Sequence, residues 1–520
     1  MSVSGEGVSM MEALSVLVLK ESGTAVAGSS AATSSVAPLA SGTLATHDSD
    51  EEEEVECSSH PAPKFGSGVL EEPCSLSPFR QTLAFNAGEE TVHLRSQGFH
   101  PSHIAAMLGR EEVFWWIVNH DEDLRTRTHA GNNVLHLAAE YGHESLVRGI
   151  YERFGGTMAP YDKRVDQKAT NEAKQTALHL AAAHGHFSIV KYLVETVKLS
   201  VRDRDIAMHT PLMLAAQNGH LAVVKYLQHK RPASLSEAGQ YKYTALLLAA
   251  LQGQYRVVRY IMMNGGSNKE LTNLNNTALH IACMGGHVDI VQLLLDKYSD
   301  QFILTDKNSN GQTPLHLAAW AGHDALTKLL ITKYSAPTNI TNSKGNTAFL
   351  MACLRGHLSV AKILITIGHS QFTEVNKNRN NAMLLAAYGG HNDVIEWLAD
   401  PMTNSGLSIH DRSLSGNTPL LHAASQALLH TVQYLLSLCN ANINDTNNSG
   451  KDAVELSSSF TPVHDYLLAW KLAANAASSV SSVSTAVSLS PSLEGTQGVD
   501  ASSSTACTAS TMSVVASPSS

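Results

Sequence analysis

One eleven-residue pattern constrains this chain more than anything else in it. TPLHLAAWAGH, opening at Thr313, has counterparts opening at Asn133, Thr176, Thr210, Thr244, Thr277, Thr347, Asn381 and Thr418. The intervals run from 33 to 37 residues, except for 43 between Asn133 and Thr176. Self-similarity at such a period means a stack of like units, because one unit cannot bury its apolar face without the next.

Each copy carries its own local instructions. The opening Thr or Asn suits a helix N-cap, and Pro211, Pro314 and Pro419 occupy the first helical position, where a missing N–H costs nothing. Leu315 and Leu317 are the large buried side chains of one copy, and Ala318 and Ala319 leave room for the neighbouring unit. A Gly follows (Gly185, Gly219, Gly286, Gly322, Gly356, Gly390), where a left-handed residue can end the helix. Apolar residues three and four apart then predict a second helix, as at Ile290, Val291, Leu294 and Leu295. Every copy is therefore expected to be a helix pair, and the polar run before the next copy, such as TDKNSNGQ ending at Gln312, to be a turn.

The period and the T-P-L-H-x-A core resemble the ankyrin repeat. The resemblance implies an all-α fold, a solenoid of stacked helix pairs with projecting turns. It implies about eleven units including degenerate caps: HPSHIAAMLGREEVFWWIV from His100 as the first, and PVHDYLLAWKLAANAA as the last, with Tyr466, Leu467 and Trp470 over the final face. Three regions are expected: 1–80 disordered, Ser/Ala-rich and acidic; 100–477 the array; 478–520 a disordered Ser/Thr/Ala-rich tail. The long interval places an insertion in the turn over 153–174.

The net charge of -10 includes seven negative charges at Asp48, Asp50, Glu51, Glu52, Glu53, Glu54 and Glu56, so the rest is close to neutral. That argues against a nucleic-acid binder, which needs a clustered basic surface. The acidic run reads as a solvated segment, or as the context of an acid-directed kinase site at Ser49. The six cysteines show no C-x-x-C spacing, and Cys283 and Cys353 stand at the second alanine of the core, which fits a reducing compartment and a cytoplasmic location. ALSVLVL, from Ala13, lacks a basic flank and is too short to span a bilayer, so no membrane insertion is expected.

Of the 26 histidines, His136, His179, His280 and His316 share the TPLH position, whereas His143, His186, His220, His287, His323, His357 and His391 follow the Gly. By resemblance to the family they tie neighbouring units together, and no carboxylate or Cys recurs with them to make a metal site. Neither G-x-S-x-G, G-x-x-x-x-G-K nor H-E-x-x-H is present, so no catalytic residue, metal or cofactor is expected.

In the family the residues just after the two alanines, and the turn before the Thr, face the concave side. Along the array the first of these is large and mainly apolar at Leu251, Met284, Trp320, Leu354 and Tyr388, with Tyr241 and Tyr243 on a preceding turn. They are the candidate partner-binding residues, Trp and Tyr being enriched at hot spots. Packing of Leu251, Met284 and Leu354 between helices is the competing reading. The functional expectation is an adaptor or scaffold that binds a partner protein of unknown identity and performs no chemistry. The alternatives are a bacterial effector acting on a protein in host cytoplasm, and an enzyme with a cryptic site in the 153–174 insertion or a flank.

Overall fold

The computed structural model describes residues 97–119, 124–154, 169–230 and 234–486. These residues form twenty-two α-helices and two 3-10 turns, with no strand among them. The helices come in eleven consecutive pairs: α1/α2 (Pro101–Met107, Glu111–Asn119), α3/α4 (Val134–Glu140, Glu144–Phe154), α5/α6 (Ala177–Ala183, Phe187–Glu195), α7/α8 (Pro211–Gln217, Leu221–Lys230) and α9/α10 (Ala245–Leu251, Tyr255–Met263). They continue as α11/α12 (Ala278–Gly285, Val288–Lys297), α13/α14 (Pro314–Ala321, Asp324–Thr332), α15/α16 (Ala348–Arg355, Leu358–Thr366) and α17/α18 (Ala382–Gly389, Asn392–Ala399). The last pairs are α19/α20 (Pro419–Ser425, Leu429–Ser437) and α21/α22 (Ala453–Leu456, Thr461–Ala486). Each first helix packs on its own partner and on the first helix of the next pair, so the fold is an all-helical solenoid of stacked pairs.

The core is continuous from unit to unit. Ala318, Ala319 and their counterparts Ala215, Ala216, Ala249, Ala250, Ala386 and Ala387 are wholly buried, which is what close approach of successive helices requires. Cys283 and Cys353 fill the same slot and are likewise buried. At the C-terminal end Leu467 is buried and Tyr466 and Trp470 pack on the core. The terminal helix runs to Ala486, beyond the 477 boundary expected from composition. Its Ala-rich stretch has high helix propensity, and the Ser and Val that suggested a tail do not stop it. The 1–80 region with Ser49, most of the 153–174 insertion and the tail beyond 486 lie outside the described residues.

Polar groups join the units as regularly as the core does. In a ladder along the turns, an N–H of one turn donates to a carbonyl of the turn before it: Glu172 to Ala130, Ile206 to Ala173, Gln240 to Ala207, Asn273 to Tyr241 and Ser309 to Leu274. It continues from Ser343 to Asn310, Lys377 to Lys344, Leu414 to Asn378 and Asn448 to Ser415, all at 2.8–3.1 Å. The turn reverses through a left-handed residue two places before each N-cap. Gly98, Gly131, Gly311, Gly345, Gly416 and Gly450 supply it in six of the eleven units, and Lys174, Met208, Lys242, Asn275 and Arg379 in the other five, with φ between 55° and 81° throughout.

Candidate functional site

The histidines fix the positions from which the groove is built. In the TPLH set, Nδ1 accepts the backbone N–H of the N-cap three residues earlier, at 3.2 Å from His136, His179 and His316 and 3.4 Å from His280. At His179, His280 and His316, where the Thr hydroxyl of the N-cap can also donate to Nδ1, the proton is thereby assigned to Nε2, which donates forward to the carbonyls of Asp203, Gln312 and Asn346 at 3.1–3.2 Å. His136 Nε2 lies 3.0 Å from the Gln175 carbonyl, and its Nδ1 also lies 2.7 Å from Asn133 Oδ1. His103 makes the same pair of bonds in the first unit. With both nitrogens occupied and the rings enclosed, burial pushes His103, His136, His280 and His316 down to about 4. They are neutral connectors rather than proton donors to a substrate.

The Gly-His set ties backward. Nε2 of His287, His323, His357 and His391 donates to the carbonyls of Leu251, Met284, Trp320 and Leu354 at 2.8, 2.9, 3.0 and 3.1 Å. The Gly of one unit makes room for the His of the next, since a Cβ at Gly322 would fall 2.5 Å from the His357 ring, and Gly322 itself has φ +80°. Four of the five proposed stripe residues therefore have their backbone held by the following unit. The fifth, Tyr388, has no such His opposite it, because Leu428 stands at that place and packs against Gly390.

The side chains of the candidate set have different surroundings. Leu251, Met284, Trp320, Leu354 and Tyr388 occupy equivalent last-turn positions on α9, α11, α13, α15 and α17, which pack side by side in that order. Leu251, Met284 and Leu354 are half-buried against the core, as is Tyr243, whose phenol burial pushes up. Tyr241 is half-buried in the 3-10 turn Gln240–Lys242, with φ +55° and its carbonyl committed to the turn ladder. Trp320 is half-buried, and the Arg355 guanidinium carbon lies 4.5 Å from its ring centroid. Tyr388 is 39% exposed and meets His422 edge-on at 5.7 Å. The aliphatic members thus pack on the core, whereas the Trp320 ring lies against Arg355 and Tyr388 is exposed.

Taking only the first residue of each groove pair missed the second. That position carries Tyr141, 49% exposed, and Arg355, the residue over Trp320. The pair itself was the available signal, since both members follow the two alanines.

The two thiols of the repeat core are held in an unreactive state. The Cys283 and Cys353 thiols are fully enclosed, and burial drives their ionisation well above the ordinary thiol range. Among the described residues no three His, Cys, Asp or Glu side chains converge as a metal-binding group. None of the described helices is long and apolar enough to cross a membrane.

Comparison with known families agrees with this geometry. A model of three ankyrin repeats matches residues 155–238, 195–273, 246–340 and 326–407, and a model of many ankyrin repeats matches 383–436. Together the matches span more than half of the chain. No curated protein matches it.

Proposed function

The chain belongs to the ankyrin-repeat family, and from that premise we propose that it is an adaptor or scaffold that holds a partner protein along the groove without acting on it chemically. A protein partner is what these repeats imply. The observation that carries the site assignment is the contrast within the stripe. Trp320 has its backbone fixed by His357 and its ring under Arg355, so its aromatic surface is held in a rigid frame, and Tyr388 adds an exposed aromatic surface on the next first helix but one. Docking on a preformed surface loses little ordering entropy, which favours affinity. Tyr241, Tyr243, Leu251, Met284 and Leu354 complete the walls.

The same observations favour binding over catalysis. The TPLH histidines spend both nitrogens on the fold, and the enclosed thiols are poor nucleophiles. The reading is tested with Trp320→Ala, Tyr388→Ala and the double variant, in capture from lysate followed by a titration with the captured protein. Truncating an aromatic anchor costs about 2 kcal/mol or more, so Trp320→Ala is expected to weaken binding roughly thirtyfold or further. Helical content and the melting transition should stay near those of the parent. Parent-like affinity in the double variant would refute the assignment.

A further inference from the structure

The groove changes character along its length. In the two units that follow that of Trp320, adjacent turns read TNSKGN (341–346) and VNKNRN (375–380), with three cations and no carboxylate. Lys344, Lys377 and Arg379 are all exposed. The Lys377 N–H donates to the Lys344 carbonyl at 3.1 Å, which places the two lysines on one rung of the turn ladder. Lys377 Nζ reaches back to the Ser343 carbonyl at 2.8 Å, and Arg379 holds the left-handed position of its turn at φ +55°. Glu374, which immediately precedes the second turn in sequence, accepts from the Thr347 hydroxyl of the preceding unit and, at 3.0 Å, from the Gln371 N–H, so it is committed within the fold. On the helical wall of the same units stands Arg355, stacked on Trp320.

We propose that this part of the groove receives an extended, carboxylate-rich segment of a partner protein, its acidic residues on Lys344, Lys377 and Arg379 and its apolar residues on Trp320 and Tyr388. The assignment rests on the groove reading given above and specifies what occupies it. Exposed cations on successive turns, with aromatic side chains on the first helices of the same stretch, suit a chain that alternates acidic and bulky residues. Arginine in particular offers a planar fork that matches a carboxylate. A polynucleotide is the poorer fit. Three clustered cations would release about three counterions, against the 6–10 phosphate contacts of a strong binder, and the chain as a whole carries -10.

The test uses the full-length protein and three fluorescein-labelled probes: a 14-residue peptide alternating Glu pairs with Leu or Phe, the same peptide with Gln for every Glu, and a 12-mer of oligouridylate. Fluorescence anisotropy at 0.05 and 0.15 M salt should show the Glu peptide binding at least about tenfold tighter than the Gln peptide, with the gap narrowing as salt rises. The variant Lys344→Glu/Lys377→Glu/Arg379→Glu should lose that preference, and the milder Lys344→Gln/Lys377→Gln/Arg379→Gln should lose part of it. Since all three side chains are exposed, both variants should melt like the parent, which circular dichroism checks. Equal affinity for the Glu and Gln peptides, no measurable binding of either, or a preference unchanged in the charge-reversed variant overturns the proposal. Tighter binding of the oligouridylate, abolished by charge reversal, overturns it in favour of nucleic acid. A captured partner that is lost on Trp320→Ala/Tyr388→Ala but retained on charge reversal would leave the groove reading standing and remove only the acidic occupant.

Discussion

At the scale of single residues, the turns show how one backbone requirement is met by different side chains. The residue two places before each N-cap is left-handed, which costs a residue with a Cβ about 1–2 kcal/mol relative to Gly. Met208 sits there at φ +62° with its side chain half exposed, so it offers little packing in return. Met208→Gly is therefore expected to stabilise the array by about 0.5–1 kcal/mol, the gain being reduced by the greater freedom of Gly in the unfolded chain. Gly311→Ala should do the reverse, because its φ is +70° and an added Cβ would lie 2.7 Å from the Ser343 backbone nitrogen. Thermal melts of both variants read the two signs, and a shift in the same direction for both would contradict the backbone argument. The sequence announces this conformation at Gly131, Gly311, Gly345 and Gly416. Asn275 hints at it, since Asn tolerates a left-handed backbone, but at Lys174, Met208, Lys242 and Arg379 nothing in the side chain signals it. Only the repeat register reveals it.

At the scale of the element, the helix pair with its two histidines explains both what could be read in advance and what could not. Repeat spacing marked His136, His179, His280 and His316 as structural. Their direction was hidden, because one set ties forward through Nε2 and the other backward, and that depends on which carbonyl each ring meets in the neighbouring unit. Likewise the sequence showed that Trp320 and Leu354 share a register. It did not show that Leu354 packs on the core while Trp320 lies under Arg355, which is decided by the unit that follows. The buried, neutral imidazoles also make a pH prediction. His103, His136, His280, His316 and His422 are held near 4 by burial, against about 6.5 in the unfolded chain. Between these values the unfolded state binds more protons than the folded one, so stability is complete above about pH 6.5 and falls as pH drops toward 4. Each histidine contributes on the order of 1–3 kcal/mol to that loss. His316→Leu should cost about 1–2 kcal/mol at pH 7 through its lost bonds and should make the decline toward pH 4 shallower. Urea titrations from pH 7.5 to 4.5 measure both effects. A parent whose stability is flat across that range would rule out the assignment of neutral rings.

At the scale of the whole array, the units are not equally joined. The junction between the Thr277 and Thr313 copies has both ties, His280 forward and His323 backward. Both are missing between the Thr210 and Thr244 copies, where Met213 and Gln254 stand, and between the Asn381 and Thr418 copies, where Leu384 and Leu428 stand, and only the latter junction adjoins the poorly satisfied Thr418 unit. The forward tie is replaced there by Asn381 Nδ2 donating to Asp411 at 2.7 Å, and nothing equivalent holds the Tyr388 carbonyl from position 428. The Thr418 copy also encloses three polar atoms that lack a hydrogen-bond partner: Asn417 Oδ1, Thr418 Oγ1 and His422 Nε2. His422 fills a core slot that Leu317 and Leu385 occupy elsewhere, and each such atom carries a desolvation penalty of about 1–3 kcal/mol. In a linear array stability is close to a sum of unit and junction terms, so a weak junction beside a poorly satisfied unit defines where the stack opens. The segment from α19 to α22 is expected to open as one piece, at lower free energy than α11 to α16. Native-state hydrogen exchange should show its slowest amides exchanging at least about tenfold faster than those of α13 and α15. The double variant Ala427→Gly/Leu428→His rebuilds the Gly-His dipeptide in a place where residue 427 already has φ +59°, and the new Nε2 can reach the Tyr388 carbonyl as His391 reaches that of Leu354. That single added junction bond is worth about 1 kcal/mol, which should slow exchange across α19 to α22 about fivefold and leave α1 to α8 unchanged. Uniform exchange along the parent array, or a double variant that slows exchange everywhere equally, would mean that the stack opens as a whole and that the missing histidines do not set its seam.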